Sequence, residues 1–226
     1  MAERRPTLLD LFCGAGGATR GYQRAGFTVT GVDHVPQPRY CGDAFVQADA
    51  LAYVAAHGHE YEVIHASPPC QAYSALKHFT TREHPMLIDE VRNALRATGR
   101  PYMIENVVGA PLDTTVLLCG SMFGLATPCG AQLRRHRLFE ASVLLLAPGP
   151  CQHEGRRTIT VTGSTPQQNV ERNWIRETFS VHDARIAMGI DWMGMADLSQ
   201  AIPPAYTTWI GRQILRALEV AHAPHA

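Results

Sequence analysis

The sequence predicts an α/β fold built on a doubly wound, mostly parallel sheet. Three observations support this prediction: short apolar runs alternate with helical stretches, several runs end in a polar residue, and a glycine-rich turn followed by a helix comes after the first run. Ligands of such sheets bind at the carboxyl ends of the strands, so the polar residues there are the candidates for chemistry.

The first βαβ unit is the clearest part of this pattern. Residues 7–12 form an apolar strand, residues 13–17 form the glycine-rich turn, and residues 18–25 form a helix that a glycine follows. Residues 27–33 form a second strand ending in an acid. Further strands are predicted at 44–49, 61–66, 101–106 and 138–146, and further helices at 86–97, 182–189 and 206–221.

Composition narrows the class of protein. The 226 residues are 46% hydrophobic, which suffices for a core and excludes a disordered tail. Lys+Arg and Asp+Glu are both 20, so overall charge does not mark a nucleic-acid or membrane binder. We find no apolar run of about 18 residues and no secretory signal at the start. The six cysteines form no C-x-x-C pair. We therefore expect a cytoplasmic protein with free thiols.

The glycine-rich turn at residues 13–17 can hold a nucleotide-like ligand. Small residues let the backbone approach, and the helix N-terminus offers free N–H groups. Asp33 lies about twenty residues further on, where an acid suits ribose hydroxyls. The spacing is not G-x-G-x-x-G, so a pyrophosphate is not implied, and such a turn also occurs in α/β proteins that bind no nucleotide.

Cys70 and Glu105 are the candidates for covalent and acid–base chemistry. Pro68 and Pro69 stiffen the backbone before Cys70, which places a thiol on a rigid turn at a strand end. The alternative is a buried inert cysteine. Glu105 ends the fifth predicted strand, where a general acid could stand, or it is an N-cap or a surface acid.

Together these segments resemble the ordered motifs of the DNA (cytosine-5-)-methyltransferases, in a short form similar to phage or mobile-element members. The matching motifs are, in chain order, Asp10–Gly17 (DLFCGAGG), Pro68–Gln71 (PPCQ) with Ser74, Glu105–Val107 (ENV) and Arg135–Arg137 (RHR). The resemblance covers about 7–143 and about 181–215. It implies a Rossmann-like S-adenosylmethionine-dependent methyltransferase fold with a small irregular target-recognition insert.

The resemblance also implies a role for each matched position. Cys70 would add to C6 of a flipped-out cytosine, Glu105 would protonate N3, and Arg137 would contact the base, so that C5 becomes nucleophilic enough to accept a methyl group. S-adenosylmethionine would be bound by Phe12, Gly14, Gly16, Asp33 (ribose), His34, Asp49 (adenine), Pro68, Leu87, Gln200 and Ala201. Double-stranded DNA would be contacted by Gln71, Ser74, Arg135, Arg156, Arg157, Arg172 and Arg176.

The resemblance divides the chain into three parts. Residues 1–142 would form the catalytic, cofactor-binding domain, 143–180 the target-recognition insert, and 181–226 a C-terminal segment that returns to the catalytic domain. Residues 131–176 carry seven arginines and three glutamates, a net charge of +4, so positive charge is concentrated there. Solvated loop charges are the alternative for these arginines. A short insert predicts a target of about two to four base pairs.

Several alternatives stay open at this point. The same machinery would serve an RNA (tRNA) cytosine-C5 methyltransferase, and a catalytically inactive DNA-binding relic is a further possibility. We expect a monomer without a membrane partner. Cys119, Cys129, Cys151 and His153 have the residue types of a zinc site, but their spacing matches no common finger, so we expect free cysteines and no metal.

Overall fold

The computed structural model describes residues 4–70, 86–153, 155–163 and 179–222. The strands are β1 (Thr7–Leu11), β2 (Thr28–Asp33), β3 (Ala44–Gln47), β4 (Val63–Ala66), β5 (Tyr102–Asn106), β6 (Thr115–Leu118), β7 (Gln132–Leu133), β8 (Arg137–Ala141) and β9 (Thr158–Ile159). The helices are α1 (Gly17–Ala25), α2 (Ala50–His57), α3 (Ile88–Ala97), α4 (Val181–Met188), α5 (Met195–Gln200) and α6 (Pro204–His222).

Seven of these strands form one sheet in the order β3-β2-β1-β4-β5-β8-β6. Strands β1 to β5 run parallel, and β8 pairs antiparallel with both β5 and β6. The doubly wound, mostly parallel sheet is therefore confirmed. The strand order reverses between β1 and β4, which places a ligand crevice at the carboxyl ends of these two strands.

The central strands β1, β4 and β5 are almost wholly buried because helices cover both faces of the sheet. The adjacent residues Leu8 and Leu9 of β1 are both fully buried and point to opposite faces. Leu8 packs in a core with α1 and α6, whereas Leu9 packs in a core with α2 and α3. Helix α1 approaches α6 closely at Gly21, where a Cβ atom would overlap Thr207.

A third core joins the predicted insert to the rest of the chain. β9 pairs in parallel with β7, and Ile159 and Val161 are buried beside Ala15 of the glycine-rich turn and residues of α4 and α5. The described part of the insert therefore shares a core with the turn. The three-part division of the chain stays a prediction.

Some elements differ from the sequence-based predictions. The strand predicted at 138–146 ends at Ala141, and Leu144 and Leu146 beyond it are exposed. The predictions missed α2, α5, β6, β7 and β9, most of which are too short to show a period. None of the helices that the structure describes is long and apolar enough to cross a membrane.

Candidate active site

Left-handed backbone conformations shape the turn between β1 and α1. Phe12, Gly14 and Gly16 have φ angles of 58°, 49° and 88°. A Cβ on Gly16 would lie 2.7 Å from the Cys41 sulfur, whereas a Cβ on Gly14 would meet no atom within 4 Å. Gly16 therefore permits close packing of the chain, and Gly14 leaves open space beside the turn.

A cavity of about 520 Å³ lies at the carboxyl ends of β1, β2, β4 and β5. This volume is typical of small-molecule sites. The structure brings together there many of the residues that the sequence singled out, namely Phe12, Gly14, Asp33, His34, Pro68, Cys70, Glu105, Arg137, Gln200 and Ala201.

Three predicted cofactor residues do not line this cavity. Gly16 is the N-cap of α1, and Leu87 is the N-cap of α3 and packs against the core. The Asp49 carboxylate accepts a hydrogen bond from the backbone N–H of Ala52 at 2.8 Å and thereby caps α2. Roles for these residues in cofactor binding stay predictions.

The structure describes only some of the residues that were predicted to contact DNA. Gln71, Ser74, Arg172 and Arg176 lie outside the described residues. Arg156 and Arg157 are exposed in the segment that leads into β9, on the outside of the insert. Their predicted contacts with DNA are compatible with this position and stay predictions.

The structure places Arg135 in the interior rather than on the surface. Its side chain is buried and donates hydrogen bonds to the Val161 carbonyl at 2.7 Å and the Ser199 carbonyl at 2.9 Å. Burial, together with the neighbouring charge of Arg137, lowers the pKa of Arg135 to about 9. Arg135 thereby ties the predicted insert to the C-terminal end of α5. Its predicted contact with DNA stays a prediction.

Glu105 and Arg137 form a largely buried ion pair at one side of the cavity. The Arg137 Nε lies 2.9 Å from the Glu105 Oε1, and their side chains are 14% and 8% exposed. Burial raises the pKa of the Glu105 carboxyl above its ordinary value, although Arg137 acts in the opposite direction. Glu105 therefore holds a proton more readily than an exposed glutamate, as a general acid must.

Asn106 holds the turn that carries Cys70 against the end of β5. Its side-chain amide donates a hydrogen bond to the Pro68 carbonyl at 3.0 Å, and its side-chain oxygen accepts one from the N–H of Val107 at 2.9 Å. Burial raises the pKa of the Cys70 thiol, against the opposing effect of Arg137. Cys70 is therefore a thiol at neutral pH, and any nucleophilic role would require the loss of its proton.

The sequence analysis missed a chain of polar side chains that leads from helix α1 to the neighbourhood of Glu105. The Tyr22 hydroxyl lies 2.9 Å from the His65 Nδ1, and the His65 Nε2 lies 2.9 Å from the Ser67 hydroxyl. The Ser67 side chain also lies near enough to Glu105 to lower the pKa of its carboxyl, against the larger effect of burial. Burial lowers the pKa of His65 to about 3, so the ring is neutral. The sequence feature that could have revealed this chain of contacts is His65, a histidine within an otherwise apolar strand.

Asp10 is a second residue that the sequence analysis did not assign to the site. It is fully buried in β1 and borders the cavity. One carboxylate oxygen accepts a hydrogen bond from the Thr19 hydroxyl, and the other has no partner among the residues that the structure describes. Burial raises the pKa of Asp10 to about 7. A positively charged ligand in the cavity would favour the ionised carboxylate.

The C-terminal segment covers the glycine-rich turn. The Trp192 indole N–H donates a hydrogen bond to the Ala15 carbonyl at 2.9 Å, and Met193, Asp197 and Gln200 line the cavity nearby. The Gly17 backbone also lies close to Ile202, because a Cβ at this glycine would be 2.6 Å from the Ile202 carbonyl oxygen.

The strand order, the antiparallel β8 and the cavity at the carboxyl ends of the strands define a Rossmann-like α/β fold. Two solved structures with this fold resemble the chain over almost its whole length. A protein encoded within an E. coli prophage and described as a candidate DNA modification methyltransferase is 14% identical, with a TM-score of 0.57, covering 95% of this chain and 99% of that one.

The S. pombe Dnmt2 methyltransferase is also 14% identical, with a TM-score of 0.62, covering 97% of this chain and all of that one. No protein-family model matches the chain, and no curated protein matches its sequence. At 14% identity the likeness establishes the fold alone.

Proposed function

We propose that this protein transfers a methyl group from S-adenosylmethionine to C5 of cytosine in double-stranded DNA. The observation that carries the proposal is that Cys70, Glu105 and Arg137 share one cavity with the glycine-rich turn. A nucleophile, a buried acid and a cation are the groups that addition to a pyrimidine ring requires. The likeness to a candidate DNA modification methyltransferase supports DNA as the substrate.

The cavity fits S-adenosylmethionine in volume and in charge. Gly14 leaves open space at the turn, and the buried Asp10 oxygen without a partner would face a positively charged ligand. Phe12, Gly14 and Asp33 would hold the nucleoside, while Gln200 would cover it from α5. The bound cofactor supplies an electrophilic methyl group.

The residues of the chain prepare the cytosine. The Cys70 sulfur gives its proton to solvent and forms a bond to C6, while Glu105 gives a proton to N3, so that electron density reaches C5, which accepts the methyl group. The Arg137 guanidinium holds the Glu105 carboxyl in place and offers its remaining N–H groups to the base. Solvent then takes the C5 proton, and the electron pair of that C–H bond restores the C5–C6 double bond as the bond between Cys70 and C6 breaks. N3 returns its proton to Glu105, and the Cys70 sulfur takes a proton back from solvent.

Cytosine in a duplex is stacked and must be flipped out, which costs a few kcal/mol. We assign part of the compensating binding energy to phosphate contacts from Arg156 and Arg157, which are exposed in the insert. DNA affinity should therefore fall steeply as salt concentration rises.

The test combines tritiated methyl transfer with a covalent trap. Duplex DNA and tRNA are offered in separate reactions, and a duplex containing 5-fluorodeoxycytidine is used to trap an adduct that survives denaturation. We expect label in DNA and a trapped adduct for the parent protein and for Cys129→Ser, whose cysteine is exposed and lies outside the cavity. Cys70→Ala should give neither.

The outcomes separate the alternatives. Label in tRNA but not in DNA would replace the proposed substrate with RNA. A folded protein that binds DNA yet labels neither nucleic acid would indicate an inactive relic and refute the proposal. Bisulfite sequencing of DNA from an expressing host would identify the methylated base and its sequence context.

A further inference from the structure

Four potential metal ligands converge on the side of the sheet that carries β6 and β8. They are Cys119, His136, Cys151 and His153, and their ligand atoms all lie within 4.8 Å of one another. The Cys119 sulfur is 3.0 Å from the His153 Nε2, and the Cys151 sulfur is 3.2 Å from the His136 Nε2. None of the four lines the cavity of the candidate active site.

We propose that these four side chains bind one structural Zn²⁺ ion. Two thiolates and two imidazoles form a preferred tetrahedral zinc set. With Zn–S bonds of about 2.3 Å and Zn–N bonds of about 2.0–2.1 Å, neighbouring ligand atoms in a tetrahedron are separated by about 3.3–3.8 Å. The two Cys–His separations of 3.0 and 3.2 Å lie just below this range, and no pair of ligand atoms is more than 4.8 Å apart, so small shifts would accommodate the ion. Four protein ligands complete the coordination and leave no position for a substrate, which makes the site structural.

The location of the ligands indicates what the metal would stabilise. Cys119 follows β6 and His136 precedes β8, whereas Cys151 and His153 lie in the segment after β8. The described residues of that segment, 142–153 and 155–157, contain neither helix nor strand. A segment without a core of its own is the kind that a metal can hold in one conformation.

The proposed metal also lies next to the arginines of the candidate active site. His136 stands between Arg135, which ties Val161 to Ser199, and Arg137, which pairs with Glu105. Arg137 additionally donates a hydrogen bond to the His136 carbonyl at 2.8 Å. Fixing the His136 ring would therefore hold the backbone from which both arginines extend.

This cluster revises the expectation of no metal. The candidate set from the sequence contained Cys129 and lacked His136. In the structure, Cys129 is exposed and its sulfur lies 3.2 Å from the Thr127 hydroxyl, away from the cluster. His136 is part of the Arg-His-Arg motif. The sequence analysis assigned roles to the two arginines of this motif and none to the histidine between them.

The experiment measures zinc in the full chain, purified under reducing conditions from zinc-supplemented cells. We expect one zinc per chain by mass spectrometry for the parent and for the control Cys129→Ala. Cys151→Ala and His153→Ala should lose the metal. Replacement of zinc by Co²⁺ should give the visible absorption of a tetrahedral ion with a thiolate charge-transfer band. A strong chelator should lower the Tm of the parent by roughly 10 °C.

A further variant keeps four potential zinc ligands, so the proposal can be tested even if the alanine variants do not fold. His153→Cys should still bind one metal and should strengthen the thiolate band of the Co²⁺ form. The proposal is wrong if the folded parent and folded His153→Cys are both free of metal. It is also wrong if the parent purified under reducing conditions contains a disulfide between Cys119 and Cys151.

Discussion

Replacing Asp10 with Asn should remove a dependence of stability on pH. Burial raises the pKa of Asp10 from 3.8 to about 7. The folded protein therefore keeps a proton that the unfolded chain releases, so stability falls as pH rises from the lower value through the higher one. The shift corresponds to about 4 kcal/mol at pH 8, of which about 2.5 kcal/mol develops between pH 5 and pH 8.

Urea unfolding at pH 5 and pH 8 measures this effect as the difference in unfolding free energy between Asp10→Asn and the parent. The amide places an N–H group where the carboxylate oxygen has no partner, but this cost is the same at both pH values. We expect the variant to gain about 2.5 kcal/mol over the parent between the two pH values. Asp191→Asn changes an exposed acid and should show no such gain.

The reasoning fails if the difference in unfolding free energy between Asp10→Asn and the parent is the same at pH 5 and pH 8.

The affinity for S-adenosylmethionine gives a second test of the Asp10 carboxylate. Because a bound cation favours the ionised carboxylate, calorimetry should show that the parent binds S-adenosylmethionine more tightly as pH rises through 7. Asp10→Asn should bind it at least about tenfold more weakly at pH 8, without that pH dependence.

Three further substitutions test the site and its frame. Glu105→Gln should lower kcat for methyl transfer by roughly 10²–10⁴-fold with unchanged cofactor affinity, and a smaller loss would exclude a general acid there. Asn106→Ala removes the hydrogen bond to the Pro68 carbonyl and should lower kcat by roughly 10²-fold while the circular dichroism spectrum is retained. Arg92→Met leaves Glu140 buried without its bidentate partner and should cost about 3–5 kcal/mol of stability, or roughly 10 °C in Tm, a loss that adding Glu140→Leu should reverse.

The sheet was predictable because its strands are buried on both faces. Strands β1, β2, β4 and β5 consist largely of buried residues, and α1, between β1 and β2, is bounded by glycines at both ends. Strand β6 and helix α5 have four and six residues, too few for a periodic pattern to identify.

The sequence predicted those residues of the candidate site that lie at the carboxyl ends of strands. Cys70 follows β4 and Glu105 lies near the end of the neighbouring parallel strand β5, so topology alone brings them to one crevice. Arg135 shows the limit of this reasoning, because its partners at Val161 and Ser199 are 26 and 64 residues away in the sequence. The same applies to the zinc cluster, whose ligands come from separate segments that only the folded chain brings together.

The raised pKa of Cys70 has a consequence for the protein between turnovers. Oxidants and alkylating agents react with thiolates far faster than with thiols. A thiol that burial keeps protonated therefore reacts slowly with such reagents. Under the proposed function, the burial that slows the attack of Cys70 would also protect its sulfur from oxidation and alkylation between turnovers.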